Sequence, residues 1–223
     1  MNATAGSMRE EASGNSNHTV TMDKKEIIYV FDFDGTLTKR DSLLLFVGYV
    51  NGSWKLGLSL LLLLPKLLLM KLHLRDNGRT KEEFFAWHFC GKRLSDFNAF
   101  GEAFAKDDPE LLREAGVATL RKALKQGAKC FVVSASVDNW VKPFFHETVK
   151  VLGTQLEVKD GRLTGRFTTP NCYGPEKVKR LKDAIPDLER NRDKYYIIAY
   201  GDSRGDKEIL EFADERHYKP FRK

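Results

Sequence analysis

Cysteine is scarce in this chain. Cys90, Cys130 and Cys172 are odd in number and none has the spacing of a metal site, which excludes a disulfide framework and a cysteine-held zinc and points to a reducing compartment. Histidine is no better organised, since His18, His88, His146 and His217 are scattered and form neither a metal set nor a nucleophile–base set. No run interleaves aromatic residues with Lys and Arg, and no segment repeats, so nucleic-acid binding and a solenoid are excluded. Residues 1–22 lack an apolar centre, hence lack the core of a secretory signal, and are expected to be a disordered leader.

What is present is enough for a catalytic domain. An apolar share of 42% over 223 residues supports a packed core with a modest insertion. The net charge of +6 favours an anionic partner, either a phosphorylated metabolite or an acidic lipid surface. Short β-branched and aromatic runs at 27–31, 129–133 and 195–200 each end in polar residues and read as buried strands. Helical stretches lie between them, at 109–126 and 175–184. Strands alternating with helices predict a parallel α/β sheet of the Rossmann-like kind, with all the carboxyl ends on one edge.

Two pieces break the alternation. The stretch 42–107 is rich in Leu and Phe and reads as a helical cap inserted after the first strand, which leaves 23–41 and 108–223 as the catalytic core. Residues 154–167 hold two extended runs around Asp160-Gly161, a strong signal for a β-hairpin.

Chemistry collects at the strand ends. Asp32 and Asp34 stand two residues apart straight after the first strand, with Gly35 allowing a sharp turn beside a ligand. Such oxygen donors suit Mg²⁺, although alone they would also suit an acidic turn that caps a helix. Ser134 ends the second run, where its hydroxyl and the following backbone N–H groups, Ala135 among them, are expected to hold a phosphate oxygen at the start of a helix. Lys177 opens a later helix and offers an ammonium to the same phosphate. Asp202 and Asp206 follow the last run and supply two more carboxylates. Ser136, Asp138, Trp140 and Arg204 lie close to these motifs without an assigned role.

This order, Asp-x-Asp-Gly-Thr, then a strand-end Ser, a helical Lys and Gly-Asp-x-x-x-Asp, resembles the four motifs of the haloacid dehalogenase superfamily across residues 26–220. The insertion after the first motif and the hairpin before Lys177 resemble its phosphoserine phosphatase-like subclass. That resemblance implies a Mg²⁺-dependent phosphatase in which Asp32 is phosphorylated while Asp34 acts as acid and base. It also implies that Ser134, Ala135 and Lys177 bind the phosphoryl group. The metal would lie on Asp32, the carbonyl of Asp34 and Asp202, with Asp206 acting on its water shell or on Lys177.

The substrate is left to the insertion. Twelve of residues 56–74 are leucine, with a break at Pro65-Lys66 and with Trp54, Lys55, Lys71, His73, Arg75 and Arg79 in or beside the stretch. A single membrane span is disfavoured, because about 20 apolar residues are needed and both ends must return to one domain. Two readings stay open: a pair of buried cap helices, or an apolar hairpin dipping into one leaflet with its basic flank on anionic headgroups. The Leu-Pro insertion, Gly174-Pro175-Glu176-Lys177-Val178 and the tail Tyr200–Pro220 resemble the bacterial phosphatidylglycerophosphatase C family. This resemblance implies a lipid phosphate substrate and a cytoplasmic protein at the inner face of the membrane. The alternatives are a soluble phosphatase of small metabolites and a catalytically silent lipid-binding module. No protein partner is implied.

Overall fold

The computed structural model describes residues 25–72, 74 and 76–222. The expected leader with His18 lies outside them, as do His73 and Arg75 of the basic flank. Strand β1, Glu26–Phe31, is followed by helices α1 (Ser42–Asn51), α2 (Ser53–Lys71), α3 (Asn77–Phe89), α4 (Leu94–Asp107) and α5 (Glu114–Lys125). Strand β2 (Lys129–Val137), a short α6 (Asp138–Val141) and β3 (Val149–Thr154) come next, then β4 (Leu156–Lys159) and β5 (Arg162–Phe167). Helix α7 (Pro175–Ala184), β6 (Tyr195–Gly201), α8 (Lys207–Phe212) and β7 (Glu215–Tyr218) complete the chain.

Five strands form one parallel sheet in the order β3-β2-β1-β6-β7. β1 is central because its residues are apolar on both faces: Ile28 and Val30 pack with Leu181 and Ile209 of α7 and α8, while Phe31 packs with the helices on the opposite side. The chain runs from β1 outward to β2 and β3, then crosses to β6 and β7. This puts the reversal of strand order at β1, the place where open α/β sheets offer a ligand crevice at their carboxyl ends. The Asp32 N–H donates to the carbonyl of Tyr200 at 2.9 Å and carries the β1–β6 ladder one residue into that crevice.

β4 and β5 pair antiparallel, and both turn residues between them have positive φ, 50° at Asp160 and 72° at Gly161, as a tight Asp-Gly hairpin requires. Between β1 and β2, the helices α1, α3 and α4 enclose Phe46, Phe85, Phe89, Phe97 and Phe104 together with Trp140, whose ring stacks on Phe46 at 5.0 Å.

Four expectations need correction. The 109–126 helix is two pieces, a 3-10 turn at Pro109–Leu111 and then α5. The chain extends at Leu112, which bridges to Thr38, while the Arg113 N–H donates to Leu37 O at 2.7 Å; this pairing to the first motif's loop outcompetes helix. The leucine-rich segment is not two helices broken at Pro65, because α2 runs through it. Pro65 lies on the solvent face with Leu61, so the carbonyl that loses its donor is open to water. β2 continues through Ser134, Ala135 and Ser136 to Val137, so Ser134 is not at a helix start. Its register against β3 shifts between Val133 and Val137, a local bulge rather than a strand end. Finally, β3 and β7 were not foreseen: β7 reads Glu-Arg-His-Tyr and has no apolar run.

Candidate active site

The carboxyl edge of the sheet gathers the polar groups. Asp32 follows β1, is 7% exposed, and accepts from Lys177 Nζ at 2.5 Å through Oδ1. The same ammonium donates to Asp206 Oδ1 at 2.5 Å. Lys177 sits in the first turn of α7, behind Pro175, and is 2% exposed, so its position was legible from the sequence. The other oxygen of Asp206 accepts the N–H groups of Asp202 at 3.1 Å and Ser203 at 2.9 Å and the Ser203 hydroxyl at 2.8 Å. Asp206 is therefore fully committed to the protein.

One buried cation between two carboxylates leaves a charge mismatch. Burial raises the Asp32 pKa to about 7, against the opposing pull of Lys177 and with the push of Asp206. Burial works against the charged form of Lys177 as well, but Asp32 and Asp206 outweigh it and hold the ammonium charged. Asp206 also resists burial, because Lys177 and Ser203 keep its carboxyl below the usual range. For Asp202, burial and then the Asp206 charge push the pKa up, opposed by Arg222, whose guanidinium is hydrogen-bonded to Asp202 Oδ2.

Asp34 faces another way. Its Oδ1 accepts the Ser42 N–H at the start of α1, at 2.7 Å, and its Oδ2 accepts the Ser136 hydroxyl at 2.6 Å. Ser42 Oγ in turn accepts the indole N–H of Trp140 at 3.1 Å, tying α1 and α6 to the carboxylate. Burial first, then the Asp41 charge, raises the Asp34 pKa, and the bonds from Ser136 and Ser42 oppose the rise. Gly35 turns the chain with φ 80°; a Cβ there would lie 2.5 Å from Asp202 Oδ2, so no other residue lets the first and fourth motifs meet.

Ser134 is wholly buried and its Oγ accepts the Ser136 N–H at 3.0 Å. The Ala135 carbonyl accepts from Thr154 Oγ1 at 2.8 Å and from Lys81 Nζ at 2.7 Å. Reading the sequence missed Lys81, Ser42 and Arg222. Lys81 carries no local signal, since it is one lysine on α3, brought in by the packing of that helix. Ser42 had one: it follows Asp41, whose side chain accepts the Leu44 N–H and starts α1.

Asp32, Asp202 and Asp206 each bring a carboxylate oxygen within 4.8 Å of the others. These are hard oxygen donors suited to Mg²⁺, and the space kept free of a Cβ at Gly35 adjoins one of them. With Asp206 engaged on both oxygens, Asp32 and Asp202 are the side chains that fit direct ligation.

A family model for haloacid dehalogenase-like hydrolases matches residues 29–211. The chain is 35% identical over 224 residues to Protein CicA of Caulobacter vibrioides, covering 96% of each. Among solved structures it is similar to a protein of unknown function from Bordetella pertussis, with TM-score 0.72, 21% identity and coverage of 86% of this chain and 89% of that one. It is also similar to a phospho-aspartyl intermediate analogue of phosphoserine phosphatase, with TM-score 0.56, 16% identity and 86% coverage of both chains. At these identities the two structures establish the fold.

Proposed function

The chain belongs to the haloacid dehalogenase-like hydrolase family, and from that premise we propose that it is a Mg²⁺-dependent phosphomonoester hydrolase working through an aspartyl phosphate on Asp32. The observation that supports this most is the buried Asp32–Lys177–Asp206 chain beside Asp202, a costly cluster that phosphoryl transfer requires and stability does not.

Asp32 Oδ attacks phosphorus, a P–O bond to Asp32 forms and the bond to the substrate alcohol breaks. Asp34 gives that alkoxide its proton. Held by Ser42 and Ser136, and with its pKa raised by burial, Asp34 is suited to carry one. It then takes a proton from the water that attacks the acyl phosphate, releasing inorganic phosphate and restoring Asp32. Lys177 and Ser134 hold the phosphoryl oxygens, and Asp206 fixes Lys177. Bound Mg²⁺, held by Asp32, Asp202 and the Asp34 carbonyl, supplies positive charge against the transferring group. Helices α1–α4 act as the cap over this edge.

For the substrate, the favoured reading is a lipid phosphate such as phosphatidylglycerophosphate, met at the inner face of the cytoplasmic membrane. Its support is α2, whose Leu58, Leu61, Leu62, Leu68 and Leu69 recur at helical spacing on an exposed face, with Trp54 83% exposed at its start and Lys55 beside it. No helix of the described residues is long and apolar enough to cross a membrane, so α2 would lie in the plane of the headgroups.

The test is Mg²⁺-dependent phosphate release from phosphatidylglycerophosphate in mixed micelles, phosphoserine and several sugar phosphates, with Asp32→Asn as control. Preference for the lipid supports the membrane reading. Preference for a soluble ester replaces it with a small-metabolite phosphatase, and the absence of Asp32-dependent release leaves a silent module on this fold.

A further inference from the structure

Two lysines reach the carboxyl edge of the sheet, and the protein treats them differently. Lys177 is matched by two carboxylates. Lys81 donates to the Ala135 carbonyl and forms no ion pair among the described residues. Burial, the largest influence on it, pushes its pKa down; Asp34 and Asp41 attract it without contact and Lys177 repels it. An ammonium has three N–H donors and one carbonyl answers one of them. Lys81 is part-buried, and a neutral donor in its place would tie α3 to β2 without bringing a second positive charge to this edge. That charge is relieved when an anion arrives.

The position says which part of a ligand would bring the anion. Lys81 stands in the field of Asp34, the group that meets the leaving alcohol, whereas Lys177 and Ser134 meet the transferring phosphoryl. Lys81 also borders a cleft of about 320 Å³ lined by Leu43, Leu44, Leu60 and Phe84 together with Asp41, Asn77 and Thr80. The cleft's surface is mostly apolar, and through Leu60 it reaches α2.

The geometry points to Lys81 as the residue that reads the leaving alcohol: it binds a second anionic group on that alcohol, a carboxylate or a phosphodiester, while the cleft takes the alcohol's apolar body. The inference rests on the phosphatase reading and adds a substrate class to it, monoesters whose alcohol is itself anionic. No such reading was available from α3's sequence, where Lys81 looks like any solvated helix lysine.

The experiment compares kcat/KM in Mg²⁺ for phenyl phosphate, phosphoserine and phosphatidylglycerophosphate in mixed micelles, using wild type, Lys81→Met and Lys81→Gln. Wild type should favour at least one anion-bearing ester over phenyl phosphate. In both variants that preference, taken as a ratio, should fall by roughly 10- to 100-fold, mainly through KM, the size expected for a lost charge-assisted hydrogen bond. Loss confined to phosphoserine identifies a carboxylate, and loss confined to the lipid a phosphodiester. A ratio that stays constant while all rates fall together would make Lys81 a structural tie and overturn the inference, as would a wild type with no preference for an anionic alcohol. Failure of the phosphatase reading itself would show separately, as no Asp32-dependent release by wild type from any of the three.

Discussion

The edge of the sheet and the outer face of α2 break opposite rules of burial. At the edge, Lys177, Asp32 and Asp206 are charged groups shut away from water. On α2, leucines and a tryptophan stand exposed with no partner among the described residues, although the inner face of the same helix buries Ser59 and Leu63. A protein built for stability alone would exchange the two sets, since buried ion pairs are often replaceable by apolar residues without loss. On the proposed reading each region is completed by something outside the chain, an ionic reactant and metal for one, an apolar surface for the other.

The comparison breaks most sharply at Asp32. Replacing it with Asn should lower phosphate release by more than about 1,000-fold while the far-ultraviolet spectrum stays that of the folded protein, because the proposed nucleophile is lost and its shape is kept. Lys177→Met should cost about 3–5 kcal/mol of unfolding free energy in denaturant titrations, the range for removing one partner of a buried pair. A loss below about 1 kcal/mol would mean the pair is effectively solvated.

The two regions should respond differently to pH. Asp32, with a folded pKa of about 7, and Asp34 and Asp202, also raised, hold protons in the folded chain that the unfolded chain has released above about pH 4. Folded carboxyls that bind more protons than unfolded ones make stability fall as pH rises, so metal-free protein should lose stability from about pH 4 to 7. The slope is at most about 1.4 kcal/mol per unit for each group. Asp206, shifted the other way, acts below this window. Mg²⁺ should therefore stabilise the protein more at pH 7.5 than at pH 5; equal stabilisation at both would contradict the site.

The smallest stability effect belongs to α2. Changing Leu61, Leu62 and Leu68 to Ser should alter unfolding free energy by less than about 0.5 kcal/mol each, as surface substitutions do. Sedimentation with anionic phospholipid vesicles should nevertheless fall several-fold, because each leucine removes buried apolar area from the contact. Leu63, 5% exposed, belongs to the core and must be left in place.

What could be read from the sequence follows how local each signal is. The ends of β1 and β6, Asp160-Gly161 and the Pro175 helix start are set by neighbouring residues, and the structure has them where the sequence put them. Position at the strand ends also placed Asp32, Asp202 and Asp206 at one edge, because a parallel sheet brings all its carboxyl ends together, and Lys177 joins them from the first turn of α7. The bulge that carries β2 past Ser134, the passage of α2 through Pro65 and the arrival of Lys81 depend on packing between distant segments. The same is true of Ser136, which holds Asp34 from 102 residues away. No window of sequence contains those contacts.

The most direct test is a rapid acid quench of wild-type protein mixed with Mg²⁺ and a radiolabelled phosphomonoester that it hydrolyses, followed by peptide mapping. The account predicts label on the peptide containing Asp32, in a base-labile acyl phosphate that appears before free phosphate. Steady phosphate release with no label on the protein at any time would mean direct attack by water and would contradict Asp32 as the nucleophile.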